Sequence, residues 1–489
     1  MLKHLPAPTQ DTQQAKINNR NGQRQLLPFF WFLLGAYAVF AITKVYSSQV
    51  IFAEDIFGAF TISVASLLSV YLWCAGKAFG IPIFPLFSVT YVWTCAIPLL
   101  SANPSVFSYS NSERFFASMT VTGFLLLSTS IWYQFVNRFP HPKNQYRTLD
   151  IHKGDPIFLG VLFLGNIYTI CNLAGWLFLE SGSFSLVRAA ILGLTAIATF
   201  SMSYRYGAGK LSLNNNALYL TLITTNIIIN SVSLLLISSL TLFLITVVGY
   251  SLGKRQFPWI STILILSLFA LLHAGKAPMR ELYWQQPVEP WQYPSRYIEW
   301  IDFGIKSLSS KGSENVESEQ SIIERASVFQ QLLLTQSLTE KGKPLLDGYT
   351  YAIIPQLLLP RIFNPDKITS HEGTSILNIY YGRQTRKDTQ TTTIGWGLLA
   401  EAYANYGLWG CGLLAFICGA GYGYVSLMSI NAPAFSDRYL FAILVMSYAF
   451  QTEFTAGVYI AALFQSSVTL LVFVFLLMKV KKLEDIEVS

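Results

Sequence analysis

Charge is scarce in this 489-residue chain: Asp, Glu, Lys and Arg together make up 12% of it, about half the share found in an ordinary soluble domain. With 52% hydrophobic residues, such a chain cannot cover several water-soluble domains with polar surface. Cysteine is scarce too. The five thiols, Cys74, Cys95, Cys171, Cys411 and Cys418, lack metal-ligand spacing and lie mostly inside apolar runs. They read as small buried hydrophobes, not as a disulfide framework or a zinc site. A Gly-rich phosphate loop ending in Lys and Ser or Thr is missing, as is an Asp-x-Asp triplet, and acidic neighbours such as Glu54 and Asp55 have no further ligands beside them. No metal site and no cofactor are therefore expected. The formal charge is +7 and the pI about 9.0, yet nucleic-acid binding needs cations gathered into a stripe. Here they are scattered through short polar gaps, so no nucleic-acid partner is expected.

What the chain does have is apolar sequence in pieces long enough, or nearly long enough, to cross a hydrocarbon core of about 30 Å. They fall near residues 28–44, 56–76, 81–100, 114–136, 157–179, 184–202, 216–231, 233–250, 259–274, 395–427, 438–456 and 460–478. The expected architecture is an all-α, polytopic membrane protein of about twelve transmembrane helices, in which 216–250 is either two short spans or one long tilted helix with a re-entrant piece. Lys and Arg in short loops collect on the cytoplasmic side. With the N-terminus inside, seventeen of them fall in inner segments, among them Arg20, Arg24, Lys77, Arg147, Arg205, Lys210, Arg255, Arg438 and Lys479. The short outer loops hold almost none. Both termini are thus expected in the cytoplasm: a polar tail at 1–27, a bundle of about nine spans at 28–274, an extracytoplasmic loop at 275–394, further spans at 395–478 and a tail at 479–489.

The long loop is where chemistry is expected. It holds 13 basic and 13 acidic residues, so it is no electrostatic sponge for polyanions. It opens with Trp284, Trp291, Tyr293 and Tyr297, an aromatic cluster suited to the headgroup level of the bilayer or to stacking on sugar rings. Ile322, Ala326, Phe329 and Leu333 are spaced for an amphipathic helix that ends near Gly342 and carries Arg325. Asp347 and Gly348 follow, then an apolar run with Pro355 and Pro360, which predicts a short helix skimming the membrane before His371. Glu401 lies one or two turns inside the next span. A carboxylate there is costly unless paired or facing water, which leaves two roles open: a functional group, or a structural partner of an Arg or of backbone groups. Glu113 with Arg114, and Glu180 with Arg188, sit at outer span ends in structural roles, while Glu453 lies near the outer end of the eleventh span, where it could line a groove.

Two segments carry a resemblance. Residues 353–367, IIPQLLLPRIFNPDK, include Leu359-Pro360-Arg361 followed by Asn364, Pro365, Asp366 and Lys367. Residues 392–410, TTIGWGLLAEAYANYGLWG, run through Gly397, Glu401, Tyr403, Asn405, Tyr406 and Gly407. Together with the late large loop, these about 35 residues resemble the bacterial O-antigen polymerase and oligosaccharide repeat-unit polymerase family. The resemblance implies a multi-span glycosyltransferase fold of the GT-C-like kind in the bacterial cytoplasmic membrane. It would take a growing glycan from its polyprenyl diphosphate and join it to a hydroxyl on the next lipid-linked repeat, with a flippase and a chain-length regulator as partners. An O-antigen-ligase-like single transfer to another acceptor and a polysaccharide or lipid transporter are the alternatives.

If the donor is a lipid diphosphate, its departure leaves charge on phosphate oxygens that guanidinium groups can meet with paired hydrogen bonds. Arg280, Arg325, Arg361 and Arg383 are the candidates, with Lys276 in the same turn as Arg280 and Lys367 beside the Arg361 motif. The acceptor hydroxyl must lose a proton. His371, the one histidine of the outer loop, suits general-base work, although it also reads as an ordinary surface turn. Glu401 or Asp347 could serve instead or orient the acceptor sugar, with Tyr403 and Asn405 as further substrate-binding residues.

Overall fold

The computed structural model describes residues 20–47, 51–138, 145–177, 181–284, 286–309, 328–359, 364 and 367–482. Among them, eight helices are long and apolar enough to cross a membrane, or nine if one bent pair counts as a span. The eight are α1 (Leu27–Ser47), α2 (Ala53–Cys74), α3 (Ile83–Leu100), α4 (Asn111–Val136), α5 (Ile151–Leu173), α8 (Leu236–Lys254), α16 (Leu398–Ser429) and α18 (Ala456–Leu477). The bent pair is α9 (Trp259–Ala274) with α10 (Lys276–Tyr283), which turn through 55° at Gly275.

Three further expected spans are helical but fall short of that standard. Helix α17 (Asp437–Tyr448) has 12 residues, about 18 Å of rise, and the segment beyond Tyr448 becomes a loop that carries Gln451, Thr452 and Glu453 out of the helix. Helices α6 (Ser181–Gly207) and α7 (Leu213–Val232) are long enough, yet α6 buries Thr195, Thr199, Ser201, Ser203 and Arg205, and α7 carries Asn226 and Asn230. Residues 216–250 resolve into two helices, α7 and α8, joined by a tight turn with Leu234 in the left-handed region.

Small residues set the closest helix contacts. Gly419 and Gly423 lay α16 against Ser128, Ile131, Trp132 and Phe135 of α4, and Gly249 and Gly253 lay α8 against Phe200, Ser203 and Tyr204 of α6. A side chain at any of these four positions would collide with the facing helix. Glycines four residues apart let backbones approach in a membrane, where packing rather than hydrophobicity drives association. Pro98 cannot continue the hydrogen-bond ladder of α3, and one π turn over Val92–Ala96 precedes it.

The basic segments share one face. The Gln23 side chain donates to the Ala78 carbonyl at 3.0 Å and the Ser426 hydroxyl to Ile81 at 2.8 Å. Strands β1 (Gln145–Thr148) and β2 (Lys479–Lys482) pair antiparallel, and the Leu149 amide reaches the Phe435 carbonyl. Arg205 pairs with Asp155 at 2.6 Å and bonds the Lys210 carbonyl. Arg20, Arg24, Lys77, Arg147, Lys210, Arg255 and Lys479 are thus drawn to a common surface.

The long insertion covers the opposite face. Helix α11 (Tyr293–Ser309) crosses α9 where Gly304 meets Gly275, and the Trp300 indole donates to the Leu272 carbonyl at 2.6 Å. Helix α12 (Phe329–Glu340) departs from expectation. Its described part is no surface helix, because Phe329, Gln331, Leu332, Leu333, Thr335, Gln336 and Ser337 are all buried. It is wedged between α4 and α16, and Gln336 bonds Thr120 of α4 at 3.0 Å. The helix ends at Glu340, close to the expected Gly342, but polar positions are buried along it together with the apolar ones.

Candidate functional site

Helix α16 breaks one turn past Glu401. Tyr406 and Gly407 leave helical geometry, Gly407 with φ 59°, so the carbonyls of Ala404 and Asn405 lose their partners four residues on. The chain after α12 supplies replacements: the Leu346 and Asp347 amides donate to those carbonyls at 2.9 and 3.2 Å. Gly348, at φ 86°, then passes under the Tyr406 hydroxyl, with no room for a side chain, and starts α13 (Tyr349–Ala352). That helix delivers Thr350 to the carboxylate of Glu401.

Glu401, Asn405 and Thr350 are fully buried. Thr350 donates its hydroxyl to Glu401 Oε1 at 2.8 Å and accepts from Asn405 Nδ2 at 2.8 Å, and Asn405 Nδ2 also reaches the Glu401 carbonyl. The second carboxylate oxygen, Oε2, accepts from the Ala456 amide at 2.5 Å, the first residue of α18. A carboxylate against unsatisfied amides at a helix start is favourable. Glu401 therefore ties three elements, α13, α16 and α18, and it is closed off from water.

A second group of polar residues lies beside the α18 N-terminus. The Thr455 and Thr374 hydroxyls bond each other at 2.9 Å, joining the loop before α18 to α15 (Glu372–Tyr380). Glu453 is two residues before Thr455 and His371 three before Thr374, so the two groups flank one bridge. Both are exposed, although protein crowds most sides of each. That crowding pushes the Glu453 carboxyl above its ordinary value, opposed by the charge of Lys276. It pushes the His371 imidazole below its ordinary value, and Arg188 of α6 adds to the effect. Lys276 is thus within electrostatic reach of Glu453, and Arg188 within that of His371.

The backbone at Glu453 is firmly held. The Glu453 carbonyl accepts from the Trp396 and Gly397 amides, each at 3.2 Å. The buried Trp396 indole donates to Asn378 Oδ1 at 2.8 Å, and Asn378 Nδ2 returns to the Ile394 carbonyl at 3.0 Å. Below, an apolar groove of about 560 Å³ runs along α16, α17 and α18 from Tyr351, Ile354 and Ala456 to Val425 and Phe441, with a Tyr422–Tyr459 hydroxyl pair in its wall.

The expected site residues divide. Glu401 and Asn405 come together, with Asp347 docked through its backbone while its side chain is exposed. His371 lies across the Thr374–Thr455 bridge from Glu453, and Lys276 is within electrostatic reach of Glu453. Arg280 is engaged elsewhere, its guanidinium donating to the Leu234 carbonyl at 3.1 Å and stacked 4.1 Å over Trp284. Arg383 is exposed beside Gln330, Lys367 is half-buried ahead of His371, and Tyr403 is buried in the core. Arg325, Arg361 and Glu180 lie outside the described residues. Thr350 escaped the sequence reading because a lone threonine carries no signal, and Arg188 because it was read only against its neighbour in the chain.

Comparison of the chain with protein-family models, with curated proteins and with solved structures returned no match.

Proposed function

We propose that the chain is a membrane glycosyltransferase that polymerises polyprenyl-diphosphate-linked oligosaccharide repeat units on the outer face of a bacterial cytoplasmic membrane. The observation that carries this reading is the apolar groove that ends at Ala456, three residues from the exposed carboxylate of Glu453, which Lys276 reaches electrostatically. A polyprenyl-linked sugar is an apolar chain with a diphosphate and a glycan at one end. The groove suits the chain and the polar residues beyond its end suit the head.

In this reading all twelve helical segments cross the bilayer in a GT-C-like arrangement, and the shared basic face is cytoplasmic. Arg188 and Lys276 meet the diphosphate and offset the charge that builds on its oxygens as the glycosidic bond breaks. They take the place first given to Arg280, whose guanidinium already has a carbonyl and a ring; Arg361, Arg325 and Lys367 remain candidates from the same loop. Glu401, with Asn405 and Thr350, holds the α18 N-terminus at the end of the groove. A flippase supplying repeats and a chain-length regulator are the partners this activity needs.

Photolabelling tests the reading. A polyprenyl diphosphate with a photoreactive prenyl end should label peptides from α16, α17 and α18, and Arg188→Ala should reduce labelling. Labelling confined to other helices contradicts the assignment.

A further inference from the structure

We infer that Glu453 is the catalytic base that takes the proton of the acceptor hydroxyl. The inference rests on the polymerase reading and adds the identity of the proton acceptor.

Two carboxylates of the region are unlike in access. Glu401 has no water-facing oxygen, and both of its oxygens already hold donors. Glu453 is exposed, and its placement is fixed at two points. Its carbonyl is held by two amides. Its side chain lies along Gly395, where a Cβ would stand 2.6 Å from Glu453 Cβ and 3.1 Å from Oε2. Lys276, at the α9–α10 bend, is a charged group within its electrostatic reach. A glycine at 395 is thus what admits the carboxylate here, and a base must be so held to work on a bound hydroxyl.

His371 is exposed as well, on the far side of the Thr374–Thr455 bridge. Arg188, within electrostatic reach of His371, assigns that side to the departing diphosphate and leaves the acceptor to Glu453. In the step itself, the acceptor O–H bond breaks and its proton passes to a Glu453 carboxylate oxygen. The acceptor oxygen bonds to the anomeric carbon, and the bond from that carbon to the phosphate oxygen breaks, its electron pair leaving with the diphosphate. The proton is then released to water.

The test uses the full-length protein in detergent with a defined polyprenyl-diphosphate oligosaccharide. Donor binding and turnover are measured separately for wild type, Glu453→Gln and Gly395→Ala. Glu453→Gln should lower kcat about 100-fold or more, the scale of a lost general base, with donor binding kept within about 3-fold. The acid limb of the wild-type pH–rate profile should disappear. Gly395→Ala, which keeps the carboxylate but displaces it, should lower kcat in the same direction with donor binding retained. A Glu453→Gln enzyme that turns over like the wild type with its acid limb intact overturns the inference and leaves the polymerase reading standing. A wild type that binds donor and never transfers it overturns both.

Discussion

Glu401 Oε2 accepts the Ala456 amide at 2.5 Å, so a carboxylate in the first turn of α16 closes the first turn of α18, 55 residues later. With Thr350 on the other oxygen, this places the charge in a structural clasp. Glu401→Ala leaves a buried amide and a hydroxyl without their acceptor and opens a cavity, which is expected to cost about 3 kcal/mol. Glu401→Gln keeps an acceptor for Ala456 and can donate to Thr350, so it should stay within about 1 kcal/mol of wild type. Thermal unfolding of the purified variants distinguishes the two, and equal losses would count against the clasp.

Gly348 is the second tie to the broken helix. At φ 86°, with the Tyr406 hydroxyl where a Cβ would stand, alanine here must strain the backbone and shift the ring. Gly348→Ala is expected to destabilise by about 1–3 kcal/mol and to expose residues 341–350 to protease. Unchanged limited-proteolysis kinetics would show that the segment docks by other contacts.

Arg114 and Asp55 form a buried pair at 2.7 Å between α4 and α2, with side chains 3% and 0% exposed, and Arg114 also bonds Asn111 and the Tyr109 carbonyl. Removing one partner strands a buried charge, at a cost of about 3–5 kcal/mol. Asp55→Asn and Arg114→Met should each be strongly destabilising, and the double variant should be less so than their sum. Simple additivity in that cycle would deny the coupling.

His371 should make stability fall with acidity. Its folded-state pKa lies below its ordinary value, so the unfolded chain binds the proton more readily. The stability it confers is present above the unfolded histidine pKa, about 6.5, and is lost as pH falls through the lower folded value. Between pH 7 and 5 the wild type should lose more stability than His371→Gln. Parallel curves would contradict the crowded setting of the ring.

The apolar segments were legible because twenty apolar residues have few other uses, and every expected span is helical in part or whole. Span ends were less so. The stretch 449–456 reads as apolar on average, but Gln451, Thr452 and Glu453 leave the helix for the loop before α18. The Asp55–Arg114 pair was invisible because its members lie 59 residues apart, and each was read only against its neighbour. The glycine seams at 249 and 253 and at 419 and 423 are plain in the sequence, yet only the facing helices show what they do. Within the candidate site, Glu401, Asn405 and His371 could be singled out by residue type and position. Thr350, Arg188 and the part played by Gly395 depend on which segments fold together.

Reconstitution offers the most direct measurement of the proposed activity: full-length protein in lipid vesicles, a single defined polyprenyl-diphosphate oligosaccharide repeat, and mass analysis of the products. A ladder of lipid-linked products differing by whole repeat units, with release of polyprenyl diphosphate, is the expected result. Substrate recovered unchanged, moved across the bilayer, or transferred once to a different acceptor with no ladder would contradict it.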